Sequence, residues 1–448
     1  MALVQPFRAY RYNPAVAPFQ KVLTQPYDKI SPAQQEKYYA ADPHNLIAVE
    51  KGRTLKDDSP DNNVYTRAAA SLSFWIGEHV VQQDHAPAFY AYTQEYEVPG
   101  TSLRRTRRGF IGLGKLEEYS ANVIFRHEHT LSGPKADRLE LLRHTRTHTG
   151  QLFLLYSDAQ RQVDAILEEV QSAQPSVTEM TDEYGVIHRL WQITDPGKIA
   201  EIQKAMADQK LVIADGHHRY ETSLNFRNES RSRASKLDPS APYEFSMMTF
   251  INTRSEGLTI LPTHRVVSHL RDFSWSSVRR YLEPWFTTEV FSFEGAAAGN
   301  PVATKFLQQL STSAPKRSIG VYPAAEGNSH AFYLLTLRPE ADLAQILPGL
   351  SPLQRELDVV LLHQGILEPA LGITPHAVAT ESNLTYEREA SAALDAVDRG
   401  SAQLAFLLNP VDVELVVRVA TAGEVMPQKS TDFYPKLLSG ITMYRIPE

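Results

Sequence analysis

The sequence predicts a globular protein of the mixed α/β (α+β) class, and three observations support this prediction. Its 448 residues are 42% hydrophobic and 22% charged, as is usual for globular proteins. Helical and strand patterns alternate up to about residue 265, which indicates helices packed on a sheet. No apolar run reaches the roughly 18 residues that a membrane-spanning helix needs. At about 150 residues each, the length predicts two or three domains.

The first 50 residues are rich in X-Pro steps, which favour extended segments and turns. Ser31 is predicted to be the N-cap of a helix, and Pro32 its first residue. Helical patterns follow in SPAQQEKYYAAD (31–42), NNVYTRAAASLSFWIGEH (62–79), KADRLELLRHTRTHT (135–149), DAQRQVDAILEEVQSA (158–173) and IAEIQKAMADQK (199–210). Strand patterns occur in PAFYAYTQEYEV (87–98), RRTRRGFIGLGKLEEY (104–119), QLFLLYSD (151–158), GVIHRLWQITD (185–195), LVIA (211–214) and FSMMTFINT (245–253).

Beyond PTHR (262–265) the patterns change to those of an α+β region. It contains a predicted hairpin, a helix-rich stretch, a strand, a helix and a loop: RSIGVYPAAEGNSHAFYLLTL (317–337), LQRELDVVLLHQGILEP (353–369), QLAFLLNP (403–410), VDVELVVRVATAG (411–423) and MPQKSTDFYPKLLSG (426–440). We therefore predict an α/β body over residues 1–265 and a C-terminal α+β region over residues 266–448, packed on the first body.

Charge and cysteine content exclude several classes of function. The 45 basic and 52 acidic residues give a net charge of −7, which argues against general binding to nucleic acid or membrane surfaces. The chain has no cysteine, so thiol catalysis, disulfides and cysteine-held metal are excluded. The N-terminus lacks a signal-peptide pattern, and a cytoplasmic location is expected. The oligomeric state is left open by the sequence.

The stretch LVIADGHHRYETS (211–223) predicts a strand, a tight turn and a helix. Tyr220, Ser223, Leu224 and Arg227 would share one helical face. A helix N-terminus after such a turn presents backbone donors and partial positive charge to an anion. An ordinary strand-to-helix connection with polar histidines is the alternative.

Three other strings could carry chemistry. FRHEHTLSGPKADRLELL (125–142) places Glu128 between two histidines, but Leu131 stands where a zinc-protease motif needs its second histidine. GFIGLGK (109–115) has the spacing of a phosphate-binding loop, yet it lies in a strand pattern and Leu116 replaces the required Ser or Thr. His144 and His148 have helical i, i+4 spacing and could ligate a metal with His217 or His218, although a solvated helix face explains them as well.

The loop MPQKST…YPK (426–436) combines Lys429, Ser430, Thr431 and Lys436 with restricting prolines. Lysines and hydroxyls together suit the anchoring of phosphate or carboxylate groups. A polar surface loop is the alternative. We expect this loop to complete the functional site.

Taken together, these strings resemble the family known as domain of unknown function 1015 (DUF1015). The pieces that carry the resemblance are QPYD (25–28), DPHNLI (42–47), HEHT (127–130), PKADRL (134–139), ADGHHRYET (214–222), PTHR (262–265) and MPQKST…YPK (426–436). HE…DRL…DGHHR also resembles the signature of free-serine kinases of the ParB/sulfiredoxin-like superfamily. That resemblance implies a nucleotide-binding core with a large insertion between Glu128 and Asp215.

The resemblance also implies roles for individual residues. Glu128 would be the base that takes a proton from the substrate hydroxyl, and Asp215 would help to hold Mg²⁺. Gly216, His217, His218 and Arg219 would bind nucleotide phosphates. Weaker candidates for anchoring substrate or phosphate are His127, Arg138, Lys429, Ser430, Thr431 and Lys436.

The leading hypothesis is a Mg²⁺-dependent kinase that uses ATP or ADP and acts on a small hydroxyl substrate, with free L-serine as the best guess. A ParB-like nucleotide-binding regulator without turnover is the second hypothesis. The third is a metal-dependent hydrolase that uses the His-rich segments.

Overall fold

In the computed structural model, which describes residues 1–128, 130, 132–325 and 330–447, the chain forms two compact units. The first unit contains residues 1–259 and 435–448, and the second contains residues 260–434. His129 of the HEHT string and Leu131 lie outside the described residues. The domain division predicted at residues 265/266 stays a prediction.

The first unit contains most of the long helices. Its α-helices are α1 (Phe19–Val22), α2 (Pro32–Ala41), α3 (Ile47–Glu50), α4 (Val64–Gly77), α5 (Ser132–Thr145), α6 (Gln162–Ala173), α7 (Pro196–Ala207) and α8 (His217–Arg233), with 3-10 turns at Tyr27–Lys29, Tyr119–Ala121 and Pro242–Glu244. Its strands are β1 (Val4–Gln5), β2 (Tyr10–Tyr12), β3 (Val81–Gln83), β4 (Phe89–Glu97), β5 (Arg104–Lys115), β6 (Ile124–Phe125), β7 (Thr147–His148), β8 (Leu152–Tyr156), β9 (Thr178–Thr181), β10 (Ile187–Ile193), β11 (Leu211–Asp215), β12 (Phe245–Asn252) and, near the C-terminus, β21 (Tyr444–Arg445).

A nine-stranded mixed sheet organises the first unit. Its order is β6-β11-β8-β12-β5-β4-β10-β9, with β1 paired to β5. β11 runs parallel to β6 and antiparallel to β8. The core consists of apolar side chains from the sheet and the helices that cover it, Phe110, Leu154, Ile213 and Tyr220 among them. Burial of this apolar surface is the main favourable contribution to the stability of the unit.

Local sequence signals explain several of these elements. Ser31 caps α2 in a capping box with Gln34, and Pro32 occupies the first turn as predicted. GFIGLGK lies inside β5, which confirms that it is not a phosphate-binding loop. Every strand pattern predicted in the first body corresponds to a strand of the sheet.

The second unit is an antiparallel α+β structure. Its elements are β13 (Thr259–Leu261, beginning at the boundary), β14 (His264–Val267), α9 (Trp275–Leu282), β15 (Phe286–Phe293), α10 (Pro301–Thr312), β16 (Ser318–Pro323), β17 (His330–Leu337), α11 (Leu343–Ile346), α12 (Pro352–Arg355), α13 (Asp358–Leu362), α14 (Glu368–Leu371), α15 (Pro375–Ala379), β18 (Leu384–Glu387), α16 (Ala390–Asp398), β19 (Leu404–Leu407), α17 (Val413–Thr421) and β20 (Asp432–Tyr434), with a 3-10 turn at Ala314–Lys316 and a π turn at His363–Leu367. Six strands form the sheet β15-β17-β16-β19-β14-β18. The predicted hairpin is confirmed as β16 and β17.

The mixed α/β class is confirmed, and two local predictions are corrected. The helix of residues 135–149 ends at Thr145, because Arg146 adopts a positive φ of 49° and the chain then enters β7. The polar string 426–440, predicted as a loop, contains strand β20. In the part of the chain that the structure describes, no helix is both long and apolar enough to cross a membrane.

Candidate functional site

The site lies where two neighbouring parallel strands end. Leu211 pairs with Ile124 and Val212 with Phe125, so β6 and β11 point the same way. The HE segment follows the first strand and the DGHHR segment follows the second. Because carboxyl ends of adjacent parallel strands meet at one edge of a sheet, two strings 90 residues apart come together.

DGHHR forms the predicted turn and helix start. Gly216 has a φ of 95°, a conformation that favours glycine, and α8 begins at His217 without a side-chain cap. The first backbone N–H groups of a helix have no partner within the helix, and they carry the positive end of its dipole. Tyr220, Ser223, Leu224 and Arg227 are all buried, which confirms their predicted shared face.

His127 and His217 join the two segments. Their rings meet edge to face with centroids 4.6 Å apart, and the backbone N–H of His127 donates to Nε2 of His217 at 3.4 Å. Burial lowers the pKa of His127 to about 4. Burial and the nearby His127 lower the pKa of His217 well below its usual value. Both imidazoles are therefore neutral at pH 7, and His217 carries its proton on Nδ1.

Glu128 is held between two attachments to α8. Its predecessor His127 contacts His217, and two residues later the Thr130 hydroxyl donates to Oε2 of Glu221 at 2.6 Å. Lys135 pairs with the same Glu221 oxygen at 2.9 Å. Glu221 lies one helical turn beyond His217, so both attachments use one face of α8. Glu128 lies between these two attachments in the sequence and is half-buried.

Asp215 lies at the end of β11 among cationic groups. Nζ of Lys436 is 3.7 Å from its Oδ2. Burial alone would raise the pKa of Asp215, but Lys436, Arg219 and Lys29 together lower it well below the usual value. The carboxylate is therefore ionised at all physiological pH values. With several cations around one carboxylate, the local charge suits an anionic ligand.

The backbone around Lys436 is fixed by buried side chains on the sheet. Arg107 is 1% exposed and donates to the carbonyl of Pro435 and to Oε1 of Gln94. The amide of Gln94 in turn donates to the carbonyl of Lys436 at 2.8 Å. Phe153 packs under the guanidinium of Arg107 at 4.8 Å. These positioning residues hold Lys436 next to Asp215.

Tyr27 and Lys29 are site residues that the sequence predictions did not assign. The guanidinium of Arg138 lies 4.3 Å above the ring of Tyr27. Burial, followed by Asp28, raises the pKa of Tyr27 to about 12, while Arg219 and Arg138 act in the opposite direction. The strings QPYD, PKADRL and DGHHR therefore converge at this ring. The presence of QPYD among the family strings was the signal that could have identified it.

The segment that carries Tyr27 is anchored at both ends. Gln25 donates to Oδ2 of Asp182 at 3.2 Å, and Nζ of Lys51 donates to the carbonyls of Tyr27 and Ile30 at 3.1 and 2.6 Å. Lys51 follows directly on Glu50 at the end of α3. These contacts fix the 3-10 turn that presents Lys29 to Asp215.

Two cavities adjoin this cluster. One of about 440 Å³ is lined by Tyr27, Lys51, Tyr65, Asp137 and Arg138 together with the apolar side chains Val49, Leu55, Val64 and Leu141. A smaller one of about 50 Å³ is lined by residues that include Arg138, Leu141, Gly150 and Arg219. Arg138 and Leu141 line both. Arg138 is also paired with Asp137 at 2.6 Å.

The remaining predicted residues are distributed as follows. His218 is half-buried in the first turn of α8, and Arg219 donates to the carbonyl of Gln151 at 2.8 Å. Lys429, Ser430 and Thr431 belong to the second unit, whereas Lys436 belongs to the first. His144 and His148 lie on a helix and a strand, so their predicted i, i+4 pairing is wrong.

The side chains available as metal ligands determine which kind of metal ion the site could bind. Among the described residues, no group of three or more His, Asp and Glu side chains is arranged to hold a metal ion. Asp215 is one carboxylate facing Lys436, Arg219 and Lys29. Mg²⁺ is often bound by one or two carboxylates together with substrate phosphates. The residues thus fit a Mg²⁺ ion shared with a phosphate-bearing ligand and do not fit one held by protein alone.

Comparison with known proteins gives a family. No curated protein matches the sequence. Solved structures that match include a conserved hypothetical protein from Pyrococcus furiosus (11% identity, TM-score 0.32, 70% of this chain and 90% of that chain). A free serine kinase in complex with AMP also matches (10% identity, TM-score 0.33, 71% and 88%), as does a mutant free serine kinase in complex with ADP, with the same values. The family described as "Protein of unknown function (DUF1015)" matches residues 4–360, and the chain belongs to this family.

Proposed function

We propose that the first unit is a nucleotide-dependent phosphotransferase that acts on a small hydroxyl substrate, with free L-serine as the first substrate to test. The observation that carries the proposal is the contact of His127, the residue before Glu128, with His217 of the DGHHR turn. This contact supports the proposal because it brings the segment that carries Glu128 to the N-terminal end of α8. Phosphoryl transfer requires mainly such positioning and neutralisation of charge.

The phosphates of ATP or ADP would bind at the start of α8. Gly216 lets the backbone approach the ligand closely, and Arg219, Lys29 and Lys436 supply positive charge around Asp215. The rings of His217 and His218 would contribute N–H donors. Asp215 would hold a Mg²⁺ ion bound to the phosphates, and this ion would neutralise part of their charge.

The nucleoside would occupy the cavity of about 440 Å³, which lies within the usual range for small-molecule sites. Its apolar wall of Val49, Val64 and Leu141 and its aromatic residues suit a base. Arg138 lines both this cavity and the small one beside Arg219, so it would lie between nucleoside and phosphates.

In the reaction, Glu128 would take the proton from the substrate hydroxyl as its oxygen attacks the terminal phosphorus. The O–P bond to the substrate forms, and the bond to the departing nucleotide oxygen breaks. With ATP the products are the phosphorylated substrate and ADP, and with ADP they are the phosphorylated substrate and AMP. A base within hydrogen-bond reach typically contributes about 10²–10⁴ to the rate.

The test incubates purified protein with ATP or ADP, Mg²⁺ and L-serine, and measures O-phosphoserine by mass spectrometry. An Asp215→Ala protein controls for contaminating kinases. Phosphoserine made by the wild type and lost in the variant is the expected result. If nucleotide binds but none of L-serine, L-threonine and L-homoserine is phosphorylated, the kinase proposal fails and the ParB-like regulatory hypothesis replaces it.

A further inference from the structure

The string PTHR (262–265) and the residues Lys429 to Thr431 take no part in the proposed chemistry as described, yet they meet within the second unit. Arg265 of β14 donates from Nη2 to the carbonyl of Lys429 at 3.2 Å. Thr263, Arg265 and Ser430 line one cavity of about 620 Å³. This volume is in the range of sites for small organic ligands.

Arg265 is a buried cation with neutral partners. It is 1% exposed, and its other contacts are Nε2 of His363 at 3.2 Å, the carbonyl of Thr263 and the ring of Tyr386. Burial, together with Arg265, lowers the pKa of His363 to about 3, so this imidazole is uncharged. The guanidinium has five N–H groups, and the contacts named for it use three of them. A buried charge of this kind favours a compensating anion.

Arg317 also lines this cavity. Its Nε donates to Asp358 at 3.0 Å, and its Nη1 donates to the carbonyl of Arg355. Its Nη2 is buried and has no hydrogen-bond partner among the residues that the structure describes. An unpaired buried donor lowers the stability of the folded protein, and a ligand oxygen would remove that cost.

The acidic side chains that line this cavity do not neutralise the positive charge of Arg265, because each has another partner. Asp358 is paired with Arg317, and Glu356 is paired with Arg418 at 2.9 Å. Asp412 accepts the backbone N–H groups of Glu414 and Leu415 as the N-cap of α17. The positive charge of Arg265 therefore remains for an incoming group.

Apolar side chains form much of the remaining wall, and they include Ile260, Pro262, Leu357, Val359, Leu408 and Leu415. A planar guanidinium matches a carboxylate in shape and in donor spacing. We propose that this cavity is a second ligand site, which binds a small organic carboxylate with an apolar body. Its carboxylate would contact Arg265 and Arg317, and its body would cover the apolar wall.

Isothermal titration of the full chain with hexanoate, acetate and inorganic phosphate, without nucleotide, tests this proposal. Hexanoate should bind, and more tightly than acetate, because acetate lacks the apolar body. Arg317→Gln should weaken hexanoate binding at least about tenfold, the loss expected for one charge-assisted hydrogen bond. Arg399→Gln removes an exposed arginine of the same unit that pairs with Asp395, and it should leave binding unchanged.

A second variant covers the case in which Arg317→Gln does not fold. Leu415→Trp fills the cavity from α17 without removing a charge, and it should weaken hexanoate binding to a similar degree. No binding of hexanoate, binding of phosphate in its place, equal affinity for acetate, or an equal loss in Arg399→Gln would each overturn the proposal.

Discussion

The imidazoles of His127 and His217 pack edge to face, although 90 residues separate them in the chain. The contact aligns two segments that leave the sheet from adjacent parallel strands. The contact favours the uncharged form of both rings, because a protonated ring buried there would have no water to solvate its charge. Acid should therefore act on this contact first.

The free energy of unfolding should fall as the pH is lowered from 6.5 to 4. In this range His127 and His217 become protonated in the unfolded chain but stay neutral in the folded protein. Their folded-state pKa values are lowered, so unfolding is coupled to proton uptake in this window. His127→Gln should reduce the decline in unfolding free energy over this window by a few kcal/mol. Urea unfolding at a series of pH values measures it, with the exposed His85→Gln as control. An unchanged pH dependence in His127→Gln would show that the ring is hydrated.

Glu128→Gln should lower the rate of phosphoryl transfer by about 10²–10⁴ while leaving nucleotide affinity within about twofold. The amide keeps the shape of the side chain but cannot accept the hydroxyl proton. Single-turnover kinetics and nucleotide titration separate the two effects. Glu201→Gln, at an exposed position on α7, is the matched control. Full activity of Glu128→Gln would show that Glu128 is not the general base.

Lys436→Met should weaken nucleotide binding about tenfold, since it removes a cation beside Asp215 and leaves that carboxylate to repel the phosphates. The affinity lost should shrink as salt is raised, because the interaction is electrostatic. Lys198→Met removes a lysine that pairs with Glu169 elsewhere in the first unit, and it should have no effect. Equal losses in both variants would indicate a general effect of charge.

Gly216→Ala should abolish nucleotide binding. Its backbone is in the left-handed region at a φ of 95°, and an added Cβ would lie 3.1 Å from Leu152 and 3.3 Å from the guanidinium of Arg219. Gly185→Ala is a close control, because Gly185 has a φ of 78° but no atom within 4 Å of an added Cβ. Both variants should lose about 1–2 kcal/mol of stability from backbone strain. Loss of binding in Gly216→Ala alone assigns the effect to the site.

The sequence predicts the parts of this site that are formed locally. Strand, turn and helix around DGHHR follow from an apolar run, a glycine and a helical pattern, and all three are present. The approach of Lys436 to Asp215 could not be predicted from local sequence patterns. It depends on Arg107 and Gln94 of the sheet, which bind the carbonyls of Pro435 and Lys436. His148 was misassigned because the positive φ of Arg146 ends the helix pattern early. Composition and periodicity reveal neither which distant residues meet in the fold nor where a single residue with a positive φ ends a helix.

Residues 435–448 return to the first unit after the whole of the second unit has been made. They supply Lys436 beside Asp215, the hydroxyl of Ser439 to the buried Glu50, and strand β21 to β7. On the ribosome, the nine-stranded sheet can therefore form before residues 435–448 are made, but the cation cluster around Asp215 cannot. Until Lys436 has been made and has emerged, Asp215 lacks the cation that lies 3.7 Å from its carboxylate, so the order of synthesis sets when this cluster can form.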